Sequence, residues 1–225
     1  MAELYLIRHG QASYGAANYD KLSELGHQQA RWLGEYYQRQ GIEFGHVVTG
    51  DMVRQRETAT GICEGLGVPS NNFDTHLGLN EFDFNAISDA YLNLYPEQRP
   101  ADDAHRNQFY QLLKKAMLCW SLDELPGELP ESWAQFQGRV QDALTHIQNL
   151  SDKKRILVVS SGGAMAMAMS IVLQTPPAAV IELNLQTRNT GVSHYFFNRD
   201  TIRLSGFNNT PHLDDPEFHH AVTFS

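Results

Sequence analysis

Positive charge is scarce in this chain: 17 Lys and Arg stand against 26 Asp and Glu, a formal net charge of −9. No basic field exists to displace counterions from a polyanion, which excludes a general nucleic-acid binder. Cysteine is scarcer still. Cys63 and Cys119 lie far apart, in no metal-ligand spacing, and read as buried, reduced thiols, with one disulfide as the alternative. Long apolar runs are missing, so no segment is expected to span a bilayer. The chain opens on an acidic residue and strand formers where a signal peptide would carry a basic n-region, and the expected location is cytoplasmic. Repeats, linkers and low-complexity tracts are also absent. What is there suits one globular domain: 225 residues, 42% hydrophobic and 19% charged, enough for a full layered core. The negative total leaves room for an anionic substrate, because a few arginines set the potential inside a pocket.

Strand and helix signals alternate from the start. Glu3-Leu4-Tyr5-Leu6-Ile7 is a short run of β formers, and Gly45 to Thr49 is a second. Between them Ser23 is placed to cap a helix running to Gln40, with Ala30, Leu33, Tyr36 and Tyr37 on one face and Gly41 as its stop. Asp51 is expected to cap the next helix, whose inner face is Met52, Ala59, Ile62 and Cys63. Alternation resumes at Arg155 to Ser160, followed by a small-residue and methionine helix from Ala164 to Met169 that reads as close-packed core. Val192–Phe197 and Thr201–Gly206 read as a closing hairpin turned at Asn198-Arg199-Asp200. From about Phe84 to Leu150 no strand is evident; Pro96, Pro100, Pro126 and Pro130 divide a helical insertion expected to fold over one end of the sheet. The fold class that follows is α/β: a three-layer sandwich with a mostly parallel central sheet, flanking helices and a helical cap at about 84–150.

Open α/β sheets bind ligands beyond the carboxyl ends of their strands. Four loops there carry chemistry. The first strand delivers Arg8-His9-Gly10, where Gly10 would let the backbone approach a ligand or take a turn closed to other residues. The second loop, Thr49-Gly50-Asp51-Met52-Val53-Arg54, sets Arg54 on the first turns of a helix. Leu79-Asn80-Glu81-Phe82 offers a carboxyl group, and Ser160-Ser161-Gly162-Gly163 offers free N–H groups at a helix start, which favour an anion. Phosphoryl transfer through a phosphohistidine needs this set. Imidazole attacks, guanidinium forks hold the phosphoryl oxygens, a carboxylic acid protonates the departing oxygen, and no metal is required.

Arg8-His9-Gly10-Gln11, Arg54-Gln55-Arg56-Glu57-Thr58-Ala59 and Leu79-Asn80-Glu81-Phe82 resemble the ordered motifs of the histidine phosphatase superfamily, the phosphoglycerate-mutase-like fold. Leu22-Ser23-Glu24-Leu25-Gly26 with Gln29-Ala30 resembles the start of that family's first helix. The resemblance covers the chain apart from its helical middle, which in this family is the variable cap. It implies that His9 is the phosphorylated nucleophile, that Arg8 and Arg54 grip the phosphoryl group, and that Glu81 is the proton donor. Ser161 and Gly162 would complete the phosphate site. The substrate implied is a small phosphorylated molecule, with no cofactor, no metal, no nucleic acid and no membrane; a homodimer is compatible with this reading.

Two departures qualify the resemblance. The family pattern after the third parallel strand is Ser-His-Gly-Gly, and here Ser161 takes the place of the histidine. Losing one charge-assisted donor to a transferring group costs ~3–4 kcal/mol by analogy with oxyanion holes. Many members also carry an asparagine six residues past the nucleophile, where this chain has Gly15, with Asn18 as the substitute. Three accounts of Ser161 follow: a working phosphatase that tolerates it, a pocket completed by another histidine such as His212, or a degenerate member that binds phosphate esters without turnover. A phosphoglycerate-type mutase is disfavoured because Ala12 to Asp20 lacks a mutase-like Trp-Asn pattern. His212, Asp214, Asp215, His219 and His220 read as a polar, mobile tail in preference to a metal site. The aromatic residues of the middle segment (Tyr91, Tyr95, Phe109, Tyr110, Trp120, Trp133) read as packing.

Overall fold

The computed structural model describes residues 1–13, 20–70, 73–101 and 104–224. Gly15 and Asn18 lie outside them. In chain order the elements are β1 (Ala2–Arg8), α1 (Glu24–Arg39), β2 (His46–Thr49), α2 (Val53–Leu66), β3 (Asp74–Thr75), α3 (Phe84–Leu94), α4 (Arg106–Ser121), α5 (Trp133–Asn149), β4 (Arg155–Ser160), α6 (Gly162–Leu173), α7 (Pro177–Gln186), β5 (Val192–Phe197) and β6 (Ile202–Asn209). The strands form one sheet in the order β3-β2-β4-β1-β5-β6. β1, β2, β3 and β4 run parallel, while β5 is antiparallel to both β1 and β6. The sheet is therefore mostly parallel and flanked by helices, as the alternation of signals predicts.

Each face of the sheet buries its own cluster. Leu4, Leu6, Ile156 and Val158 join Phe136, Val140, Leu144, Ile147, Met165 and Met167 on one side. Ile7, Leu157 and Val159 join Ala30, Leu33, Tyr37, Ala59 and Ile62 of α1 and α2 on the other. A fully buried Val, Leu or Ile is worth about 1.5–3 kcal/mol. Apolar side chains on both faces thus pin β1 and β4 in the centre, and a register slip of one residue would move all of them. The helix at α6 is buried all round from Gly162 to Ser170, which explains its Ala/Met composition: small side chains admit close neighbours and thioethers fill the gaps. Of the helical stretch between residues 84 and 150, α5 packs in the same cluster as the sheet. Tyr91 and Trp120 are packing residues in it, while Tyr95 and Phe109 are exposed.

Four local expectations need correction. Ser23 caps α1 as its sequence predicts, accepting from the Gly26 N–H. Asp51 does not cap α2: the cap residue is Met52, with no side-chain bond, and the Asp51 carboxylate instead accepts from the Asn80 amide at 2.6 Å. Gly10 serves helix packing, since a Cβ there would stand 2.5 Å from the Gly26 carbonyl oxygen at the start of α1. Cys63 is buried, but Cys119 is only half-buried, and both are free thiols. The C-terminal stretch is packed. It makes 3-10 turns at Pro211–Leu213 and Pro216–Ala221, buries His212, Leu213 and Ala221, and sets Phe218 4.6 Å from the Trp32 ring on α1. Among the described residues no group of three His, Cys, Asp or Glu side chains is arranged to hold a metal ion, and no helix is long and apolar enough to cross a membrane.

Candidate active site

Parallel pairing fixes which loops meet. Arg8 lies opposite Ser160 and Thr49 opposite Val159, so the chain leaves β1, β4 and β2 at one edge of the sheet. His9 continues the ladder for one more bond, its N–H donating to the Ser160 carbonyl at 2.9 Å. The backbone around it is braced from the far side: the Thr190 N–H donates to the Arg8 carbonyl, and the Asn189 amide donates to the His9 carbonyl at 3.1 Å. Asn189 is in turn held by Thr223.

The His9 ring is buried. Nδ1 lies 2.7 Å from the Gly10 carbonyl oxygen, which can only accept, so Nδ1 carries the proton and Nε2 keeps its lone pair. Burial, with Arg54 and Arg8 adding to it, holds the imidazole well below its ordinary value of 6.5. His9 is therefore neutral at physiological pH with Nε2 as its basic atom. That atom accepts from Arg54 Nε at 3.2 Å.

Arg54 is buried on the first turn of α2, and its Nη1 meets Asp20 Oδ1 at 2.8 Å. The other Asp20 oxygen accepts from the Val53 N–H at 2.9 Å. Asp20 thus supplies the N-terminal carboxylate that α2 lacks, from a different segment of chain, where the helix dipole favours an anion. Arg8 donates through Nη1 to the carbonyls of Thr187 and Phe224. Its Nε lies 3.5 Å from where a Cβ on Gly162 would stand.

Glu81 sits at the start of α6, Oε2 accepting from the Gly163 N–H at 3.1 Å. A side chain at Gly163 would collide with it, since an added Cβ would lie 2.3 Å from Oε1. Ser161 is fully buried. Its oxygen accepts from Gln55 Nε2 at 2.8 Å, and the same amide group donates to the Leu79 carbonyl at 2.9 Å. A carbonyl can only accept, so the amide orientation of Gln55 is fixed, and the Ser161 oxygen takes a hydrogen bond while its own proton stays available. His212 is buried behind Thr190, with Nε2 2.8 Å from its hydroxyl, and burial lowers it to about 3. It is neutral, and its Nε2 is engaged by Thr190.

The structure thus joins His9 directly to Arg54, Glu81 to the start of α6, and Ser161 to α2. Residue patterns missed Asp20 and Gln55. Asp20 closes a Gly/Ala/Asn-rich loop and carries no local signal; only its tertiary pairing with Arg54 reveals it. Gln55 stands inside the Arg54 to Ala59 motif, where its neighbours drew the chemical argument.

A family model described as histidine phosphatase superfamily (branch 1) matches residues 4–210. Among curated relatives, the "Probable phosphoglycerate mutase GpmB" of Serratia proteamaculans is 28% identical, the alignment covering 96% of this chain and 97% of that protein. Among solved structures, phosphoserine phosphatase from Entamoeba histolytica in complex with 3-phosphoglyceric acid superposes with a TM-score of 0.67 at 21% identity, over 95% of this chain and 100% of that one. A mycobacterial glucosyl-3-phosphoglycerate phosphatase with inorganic phosphate gives 0.63 at 20% identity, over 95% and 100%. At these identities the two structures speak for the fold.

Proposed function

The chain belongs to the histidine phosphatase superfamily, and from that premise we propose that it hydrolyses small phosphate monoesters through a phosphohistidine on His9. The observation that carries the reading is the state of His9: neutral, with its proton committed to Gly10 at Nδ1 and its lone pair at Nε2 beside Arg54. A neutral nucleophile flanked by two guanidinium groups is what attack on a phosphoryl dianion requires.

In this reading the phosphoryl group displaces Asp20 from Arg54, and Arg54 turns from Nε2 to the phosphoryl oxygens. Nε2 attacks phosphorus, the P–O ester bond breaks, and Glu81 in its acid form gives its proton to the departing oxygen. Gly10 holds the Nδ1–H throughout, so the ring keeps its attacking face. Water then attacks the phosphohistidine, the Glu81 carboxylate takes its proton, the N–P bond breaks, and inorganic phosphate leaves with His9 neutral again. Arg8, the Gly162 N–H and the Ser161 hydroxyl, whose oxygen already accepts from Gln55, donate to the phosphoryl oxygens. The helical segment at 84–150 selects the ester. The name of the curated relative, a probable phosphoglycerate mutase, points to mutase chemistry, whereas Ala12 to Asp20 lacks a mutase-like Trp-Asn pattern, which favours hydrolysis.

The test is turnover of an aryl phosphate by the wild-type protein and His9→Ala. Loss of turnover in the variant is expected, and equal rates would sink the proposal. One observation favours a second reading, binding without turnover. Ser161 brings no charge to the site, and its resting partner is an amide. In that case phosphate esters bind in an Arg8- and Arg54-dependent way, no phosphoenzyme is trapped, and Ser161→His produces turnover where the native chain has none.

A further inference from the structure

Glu81 acts through a backbone that something else must hold. The peptide unit before it is gripped on both sides: its N–H (Glu81) donates to Met52 Sδ at 3.4 Å, and its carbonyl (Asn80) accepts from Arg139 Nη1 at 2.7 Å. The same Nη1 donates to the Gly78 carbonyl at 3.2 Å. Arg139 comes from α5, in the middle helical stretch, and is itself fixed. Its Nε and Nη2 donate to the two oxygens of Glu131 at 2.7 Å each, and its guanidinium lies 4.7 Å from the Phe136 ring centre. Both charged side chains are mostly buried, where a bidentate pair keeps its geometry better than an exposed one. The two backbones touch as well, since a Cβ on Gly78 would stand 2.0 Å from the Arg139 carbonyl oxygen.

Accepting the function proposed above, we infer that Arg139 is a positioning residue for the general acid: with Glu131 it locks the Asn80–Glu81 peptide and so aims the Glu81 carboxyl at the departing oxygen. A guanidinium suits the task because one fork can serve two carbonyls and a carboxylate at once; a lysine ammonium has no such fork. This assigns the variable helical segment a share in the chemistry beyond choosing the substrate. A displacement of about 1 Å at a catalytic group costs on the order of 10²-fold, and a general acid is worth about 10²–10⁴-fold.

A good leaving group hardly needs the acid, and a poor one does; that difference separates positioning from mere stability. The experiment compares p-nitrophenyl phosphate with β-glycerophosphate for wild type, Arg139→Met, Glu131→Gln, Glu81→Gln and the Arg139→Met/Glu81→Gln double variant. The expected result is that Arg139→Met lowers kcat on the alkyl ester about 10-fold or more, while kcat on the aryl ester changes less than about threefold and KM is unchanged. Glu131→Gln, which leaves the guanidinium in place, should show the same selectivity to a smaller extent. In the Glu81→Gln background the Arg139 change should add nothing, because the two act as one unit. Parallel loss on both esters, or full additivity in the double variant, overturns the inference while leaving the function standing. A wild-type protein that hydrolyses neither ester overturns the functional reading and this inference with it.

Discussion

His9 is held neutral by burial and by the charges of Arg54 and Arg8, which together outweigh the opposing hydrogen bond from Nδ1 to the Gly10 carbonyl; that bond selects the tautomer. The consequence is a pH profile. Lowering the pH through 6.5 should not protonate His9, so kcat/KM of the wild-type protein for an aryl phosphate should show no acid limb near 6.5; a wild-type limb there, with His9 ring resonances titrating at the same pH, would contradict the neutral state. His212 gives the matching stability statement. Burial lowers it to about 3, against about 6.5 unfolded. Over that window the unfolded chain binds a proton that the folded chain does not, so stability falls as pH falls from about 6.5 toward 3, by up to about 1.4 kcal/mol per pH unit. Thermal unfolding of wild type and His212→Gln between pH 7 and 5 checks it: the variant should lose less stability across the interval. Neither effect could be read from sequence, where His9 and His212 differ only in their neighbours.

At the scale of elements, two helix starts make the site, and they were legible to different degrees. The turn from β4 into α6 is written in Ser160-Ser161-Gly162-Gly163: a buried strand, then residues small enough to let other groups reach the helix N-terminus. The demand is tightest at Gly163, which leaves room for Glu81 and Phe82. Gly163→Ala replaces a glycine in the first turn of α6 by a better helix former, which where space allows favours the helix. Here it should instead push Glu81 aside, lowering turnover of alkyl phosphates about 10-fold or more while the far-ultraviolet circular dichroism stays unchanged. Unaltered kinetics would show that Glu81 is not needed where it sits. The start of α2 was less legible. Asp51 has the sequence position of a cap, yet Asn80 engages it, and Asp20 takes the role from another loop. Local patterns name residues that can cap; which one does is decided by tertiary neighbours. The two-residue β3 is likewise too short to carry an alternation, and only its pairing with β2 defines it.

For the whole molecule, the order of strands does what no single motif can. Pairing β1 between β4 and β5 brings residues near 8, 160 and 190 to one edge, and β2 beside β4 adds residue 54. The α/β class, the sheet's parallel core and the closing hairpin were legible because buried strands and capped helices leave strong local periodicity. The pairing of Arg54 with Asp20, the Gln55 bridge to Ser161 and the Arg139 clamp were not, because each joins segments distant in sequence. A ligand that binds only the folded site stabilises the whole chain. Inorganic phosphate at about 100 times its Kd adds about 2.7 kcal/mol, or about 5–10 °C in Tm for a chain of this length. Thermal unfolding with and without phosphate should show that shift in wild type and lose it in Arg54→Ala. The central claim is covalent, and rapid quenching of the wild-type protein with a radiolabelled aryl phosphate tests it most directly. An acid-labile, alkali-stable label is expected on the peptide that contains His9, absent from His9→Ala. Turnover without that label, or the same label in the His9 variant, would contradict it.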